Sequence, residues 1–236
     1  MNITDRIVLV ILFLGVAGSI GFRKLSKAGA LTGGCLALLL YIGIGLPGLI
    51  MLAAFFIAGT VATAMGGPEK EKLGIAEKNK GERTTGQVLA NGGVAALSGL
   101  LALINHKHPV IWQLAAAAAL SSATADTLSS ELGSIYGRRF YNILTFKKDR
   151  RGLDGVVSLE GTVFGIAGSA MIAVIYAAGY GHPAYMLIIL LAGTIGNFAD
   201  SVLGAALERK GRITNDLVNG LNTLIAAITA LICYWL

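Results

Sequence analysis

Charge is scarce in this chain. Only 14% of its 236 residues are Asp, Glu, Lys or Arg, against about 25% in an ordinary soluble domain. A water-exposed surface along most of the chain is thereby excluded. Cysteine is scarcer still. Cys35 and Cys233 lie far apart within apolar runs, which excludes a disulfide framework and any metal-type cysteine spacing. The three histidines, His106 and His108 in one short Pro-containing turn and His182 in another, read as interfacial or solvated groups and not as ligands. The nucleotide loops of soluble folds are missing as well. No GxxxxGK(S/T) and no kinase-type Gly-rich sequence after a strand occurs, nor any GxSxG elbow or HExxH pair. Phosphoryl chemistry in such a chain must be built from the ends of membrane helices.

What fills the chain is apolar and small. Hydrophobic residues make up 55% and mean hydropathy is +0.71. Glycine, at 32 residues, suits close helix contacts in lipid. The apolar segments predict helices near 7–22, 28–45, 47–65, 86–104, 110–133, 155–180, 184–207 and 215–235. Most reach the roughly 20 residues that cross about 30 Å of hydrocarbon. The first is short enough for a signal peptide, but only Arg6 precedes it, with Asp5 alongside, so it reads as a helix. The expected fold class is all-α: a polytopic membrane bundle of about eight transmembrane helices, forming one integral membrane domain over 1–236.

The basic residues predict orientation. Loops 23–27, 66–86, 134–152 and 208–214 carry 17 of the 19 Lys and Arg residues, and the alternate side keeps only Arg6 and Lys107. By the positive-inside rule those four loops face the cytoplasm and both termini face outside. In a prokaryote the membrane would be the inner, cell membrane. The net charge of +6 belongs to this asymmetry, and no aromatic-interleaved basic patch points to nucleic acid. Loop 66–86, with Glu69, Lys70, Glu71, Lys72, Glu77 and Lys78, reads as a solvated helix.

A two-helix unit recurs. Ala125-Asp126-Thr127 before Gly133 matches Ala199-Asp200-Ser201 before Gly204 and Ala58-Gly59-Thr60 before Gly66. The partner helices align Gln87 to Gly92 with Val156 to Gly161 and Asn215 to Gly220, which makes Asn91, Glu160 and Asn219 equivalent.

Three carboxylates lie inside apolar helices: Asp126, Glu160 and Asp200. Each costs several kcal/mol in a bilayer unless it meets a polar cavity, a partner or an ion. At 1.5 Å per residue, Asp126 and Asp200 are roughly 10–12 Å from their helices' cytoplasmic ends, with Glu160 slightly shallower. Helical spacing adds polar and small residues to each stripe: Ser129, Ser130 and Gly133 beside Asp126; Gly193, Gly196, Asn197 and Gly204 beside Asp200; Thr84, Gln87 and Asn91 together; Asn215, Asn219 and Asn222 together. Single Ser or Asn residues in membrane helices usually glue helices together. Three carboxylates opening toward six basic residues in one loop fit a functional site better. Asp126, Glu160 and Asp200 are therefore the candidate catalytic and Mg²⁺-binding residues, since hard oxygen ligands suit a Mg²⁺ that bridges to phosphate. Asn91, Asn197 and Asn219 would complete the site. Gln87, Ser130, Asn215 and Asp216 are further binding candidates, and Arg83, beside the Gln87 stripe, is a candidate phosphate ligand.

Five ordered stretches carry a family resemblance: RTTGQVLANGG at 83–93, ATADTLSSELG at 123–133, GLDGVVSLEGTVFGIAGS at 152–169, GNFADSVLGAALERKG at 196–211 and TNDLVNGLNT at 214–223. Together they resemble the DUF92, or transmembrane-protein-19-like, integral membrane family, over nearly the whole chain. That family includes plant phytyl-phosphate kinases, so the resemblance implies conversion of a phytyl or polyprenyl monophosphate to its diphosphate with CTP or another nucleoside triphosphate. Asp126, Gly133, the Gly137-Arg138 turn, a basic stretch and Ser158-Leu159-Glu160-Gly161 are similar, more distantly, to a pattern in dolichol kinases. This similarity implies Asp126 and Glu160 as metal ligands, and Lys147, Lys148, Arg150 and Arg151 as triphosphate ligands, with Arg138 and Ser158 as further binding candidates. Lys147 lies farther before Ser158 than the corresponding lysine of dolichol kinases. A transporter or flippase for a small anion or phospho-lipid is the alternative, because repeats and intramembrane acids also mark transporters.

Orientation is testable. A Cys replacing Lys147 should react with membrane-impermeant maleimide only after the cytoplasmic face is opened. Labelling of intact cells would reverse the topology.

Overall fold

A computed structural model describes residues 2–72, 74 and 81–236. Glu77 and Lys78 of loop 66–86 lie outside the described residues. Eight long helices form the body: α1 (Ile3–Gly21), α2 (Lys27–Ile44), α3 (Leu46–Ala64), α5 (Thr85–Ile104), α6 (Pro109–Tyr136), α7 (Leu159–Tyr180), α8 (Met186–Ala206) and α9 (Asn215–Trp235). The short α4 (Gly67–Lys72) falls within loop 66–86, where the sequence reads as a helix, while a two-stranded hairpin, β1 (Tyr141–Asn142) against β2 (Val156–Val157), was not expected. The all-α, multi-pass membrane architecture is as expected.

Local chemistry sets the helix ends. An Asn2–Asp5 capping box starts α1 four residues earlier than hydropathy predicts, because polar cap residues do not register as apolar. Strand β2 and the Ser158 cap delay α7 to Leu159, four residues later than expected.

Seven of the long helices are long and apolar enough to cross a bilayer. Large apolar side chains such as Ile7, Phe13, Ile57, Val163, Leu187 and Ile232 are exposed on their outer faces, as lipid contact requires. The helix outside that set is α6, whose Ala, Ser and Thr residues face other helices and not lipid. From Leu114 to Ala125 every residue of α6 is buried. Helices α3, α5, α7, α8 and α9 all pack against it, and α1 packs mainly on α2.

Small residues set the spacing. A Cβ on Gly161 would lie 2.8 Å from the Ser129 carbonyl oxygen, and one on Gly165 would lie 3.2 Å from that of Ala125, so α7 lies directly on the α6 backbone. Between α2 and α5, a Cβ on Gly43 would come within 2.0 Å of the Gly99 carbonyl oxygen. Gly43→Val must push these helices apart. It should cost about 1–3 kcal/mol, as overpacking does, and lower the thermal unfolding temperature of detergent-solubilised protein.

Candidate active site

Described residues of all four basic loops meet at one end of the bundle. Arg83 is pinned there by its backbone. Its carbonyl accepts from Ser26 N–H at 3.0 Å, and its N–H donates to the Lys24 carbonyl at 3.0 Å. The Arg83 guanidinium lies over the Phe55 ring and against Gly59, where a Cβ would meet it at 2.6 Å. The Arg209 guanidinium, 2.5 Å from Asp149, ties the hairpin loop to the end of α8. That guanidinium, helped by the Arg150 N–H, holds the Asp149 carboxyl down at about 2. Lys70, the expected solvated lysine of loop 66–86, is instead 4% exposed and ion-paired with Glu131. This contact fixes α4 to α6.

A polar cavity of about 300 Å³ opens at this end between α5, α6, α8, α9 and the hairpin. Asp126 and Asp200 both line it, and their carboxyls face each other within side-chain hydrogen-bonding reach. A relay holds Asp200 in place: Asn222 Nδ2 donates to it at 2.7 Å, and Ser122 Oγ donates to Asn222 Oδ1 at 2.9 Å. Beside them, Ser129 Oγ donates to Asn197 Oδ1 at 3.0 Å. Asn91 and Asn219 also line the cavity, and the buried Oδ1 of each has no hydrogen-bond partner. Asn219 is only 8% exposed, so its open acceptor calls for a donor or a cation from water or a bound group.

Other expected residues take several places. Arg83, Gln87, Ser130, Ser158 and Asn215 line the cavity. Gln87 also closes the α5 capping box, accepting from Thr84 N–H at 2.8 Å. Ser158 caps α7, accepting from Gly161 N–H at 3.1 Å. Asn215 Oδ1 accepts from Asn219 Nδ2 at 3.2 Å.

Glu160 does not join the aspartates. It sits two residues past the α7 cap and accepts from Arg138 N–H at 3.3 Å, outside the cavity. The aligned Asn219 is five residues past its cap and Asn91 seven, so the sequence alignment sets unequal depths side by side. Among the described residues no three Asp, Glu, His or Cys side chains converge on one point. Asp216 also lies outside the cavity, its carboxylate against Gly86 at the start of α5. Lys147, Lys148, Arg138 and Arg150 are exposed beyond the cavity, and Arg151 packs over Phe140, a cavity-lining ring. Asp154 and Glu208 line the cavity without having been singled out. Both belong to charged loop ends, where hydropathy carries no signal for a site.

A second cavity, about 220 Å³ and almost wholly apolar, runs between α1, α2, α3 and α5. Arg83, Gln87 and Asn91 line both cavities, so the polar pocket and the apolar groove meet at those three residues.

The sequence model for "Integral membrane protein DUF92" matches residues 9–227. The chain belongs to the DUF92 family. Among DUF92-like relatives, an uncharacterized membrane protein of Synechocystis sp. is 34% identical over 83% of this chain and 77% of its own length. One from Methanocaldococcus jannaschii is 32% identical over 90% and 87%. Protein VTE6, chloroplastic, of Arabidopsis thaliana is 32% identical over 88% of this chain and 65% of its own, so the chain spans just under two thirds of that relative. No solved structure matches.

The relay to Asp200 makes a prediction. Asn222→Leu would leave the Ser122 hydroxyl only the long 3.4 Å bond to the residue 222 carbonyl and remove a donor from Asp200 in a fully buried place. Thermal unfolding in detergent should reveal a loss of about 1–3 kcal/mol, the usual penalty for an unsatisfied buried polar group.

Proposed function

We propose that this protein is a prenyl-monophosphate kinase, with CTP or another nucleoside triphosphate as donor. An oxygen of the prenyl phosphate attacks the γ-phosphorus, the bond from that phosphorus to the β,γ-bridging oxygen breaks, and prenyl diphosphate and the nucleoside diphosphate leave. The observation that carries this reading is the junction at Arg83, Gln87 and Asn91. A polar, acid-lined pocket joined through an arginine to an apolar groove suits a molecule with a phosphate head and a hydrocarbon tail. The family resemblance implies the same chemistry. The positive-inside distribution favours the cytoplasmic face for the pocket.

The donor set suits Mg²⁺. This ion usually binds one or two carboxylates and takes its remaining ligands from water and substrate phosphates, and the facing Asp126 and Asp200 supply two carboxylates. Bound there, Mg²⁺ would neutralise phosphate charge. Five acidic residues line the cavity against one arginine, so a triphosphate needs such cations to enter. Asn91 and Asn219 offer open acceptors to a bound group. Arg83 would hold the prenyl phosphate. Lys147, Lys148 and Arg150 would draw the anionic nucleotide toward this end through their field. Since the acceptor phosphate is already ionised, no strong general base is needed, and catalysis consists of positioning and charge neutralisation.

Transport of a small anion or phospho-lipid is the competing reading. Away from the polar end the interior is filled by Leu114 to Leu120, Ile172, Tyr176, Ile189 and Ala226, which leaves no polar path outward among the described residues and favours the kinase.

Purified protein with Mg²⁺, a labelled prenyl monophosphate and each of CTP, ATP, GTP and UTP should form the diphosphate with at least one donor. Asp126→Asn and Asp200→Asn should each lower turnover on the order of 100-fold or more. Glu160→Gln should stay within a few-fold of wild type, and Arg83→Ala should chiefly raise KM for the lipid. No turnover with any donor, together with uptake into proteoliposomes, would replace the kinase with a transporter.

A further inference from the structure

We infer that the groove between α1, α2, α3 and α5 is the prenyl-tail site, and that it grips only the first two isoprene units next to the phosphate. The inference rests on the kinase reading for the identity of the head group, and on the groove itself for its reach.

The groove begins at Arg83, Gln87 and Asn91 and continues past Ser19, Leu25 and Phe55. Its far end is marked by Ile11 on α1, Ala37 on α2 and Leu49 on α3. From Ser19 to Ile11 is eight residues of α1, about 12 Å at 1.5 Å per residue, well short of the roughly 30 Å hydrocarbon core. A cavity of about 150 Å³ holds one benzene, six carbons. On that scale the groove's 220 Å³ holds about nine carbons, close to the ten of two isoprene units. It has room for one chain and not for the two of a phospholipid, which commits it to a single-tailed lipid. Helix α1 packs mainly on α2, so the rest of a longer tail passes into the bilayer beside α1. There it gains no affinity from the protein, because lipid is as apolar as a helix surface. Discrimination between substrates then lies in the head-proximal units and not in total length.

Glycines make this testable without repacking the bundle. A Cβ on Gly15 meets nothing within 4 Å, and one on Gly33 touches only Leu25 and Val88 at 3.8 Å; both residues line the groove. Gly18, on α1, also has open space and lines neither cavity.

The probes are two C20 prenyl monophosphates, one with a photoreactive diazirine in the second isoprene unit and the other with it in the fourth. They are cross-linked to wild-type protein in nanodiscs without nucleotide, and adducts are mapped by mass spectrometry. The second-unit probe should label groove residues on α1, α2 and α3. The fourth-unit probe should label mostly lipid. Gly15→Phe and Gly33→Phe should each cut second-unit labelling about tenfold, and Gly18→Phe should leave it unchanged. Excess two-chain phosphatidic acid should not compete.

Second-unit adducts on α7, α8 or α9 would overturn the inference. So would fourth-unit adducts deep in the bundle, competition by phosphatidic acid, or labelling indifferent to both groove-filling variants. Because no nucleotide is present, groove labelling without turnover in any kinase assay sinks the kinase reading and leaves the tail site standing. Turnover with labels elsewhere does the reverse.

Discussion

Everything in this protein leans on one helix whose middle stretch never meets lipid. Helix α6 is buried without a break from Leu114 to Ala125. Five helices can share it only because its side chains there are mostly Ala, Ser and Thr, and because glycines on α7 and α8 meet them. A Cβ on Gly193 or Gly196 of α8 would lie about 2 Å from the Ser121 or Ser122 hydroxyl. Larger residues on either side would move the neighbours outward. Asp200 would then lose its place opposite Asp126, since both are held by helices seated on this axis.

The same close packing settles where polarity is tolerated. An unpaired carboxylate inside a bilayer costs several kcal/mol, and the fold meets that cost with a polar cavity at the level of Asp126. There α7 still lies on α6 at Ser129 and Gly133, while residues of α5, α8, α9 and the hairpin region line a space in which carboxylates, amides and hydroxyls find each other. Ser122 marks the boundary. Buried and facing α9, it sends its hydroxyl to Asn222, which in turn holds Asp200. Structural glue and site positioning are one network here, so the two readings of a membrane-buried Ser or Asn are not exclusive.

The junction of polar and apolar cavities depends on a loop contact. Arg83 is brought to the mouth of both cavities by a backbone bridge to the α1–α2 turn, while its side chain is laid over Phe55 and seated at Gly59. The absence of a side chain at Gly59 is what admits the guanidinium. In sequence, Ala58-Gly59-Thr60 matches the stretches around Asp126 and Asp200, and where those carry an anion this glycine leaves space for the Arg83 cation.

Hydropathy and charge in the sequence were enough to determine eight long helices within about four residues at each end, the single polar end, and Asp126, Asp200, Asn197, Asn91 and Asn219 as groups that water or a ligand must satisfy. Five ordered motifs were enough to place the family. These are local properties: apolar length, helical period and the cost of buried charge are all legible from neighbours in the chain. Only the tertiary structure decided which polar groups meet. Glu160 looked equivalent to Asn219 by spacing, but depth is counted from the helix cap, and Ser158 caps α7 too near Glu160 to carry it inward. Asp154 and Glu208 looked like ordinary loop charges until the hairpin and the end of α8 were folded over the cavity. The apolar groove had no local signature at all, because its walls come from four helices and its existence depends on how far apart those helices stand.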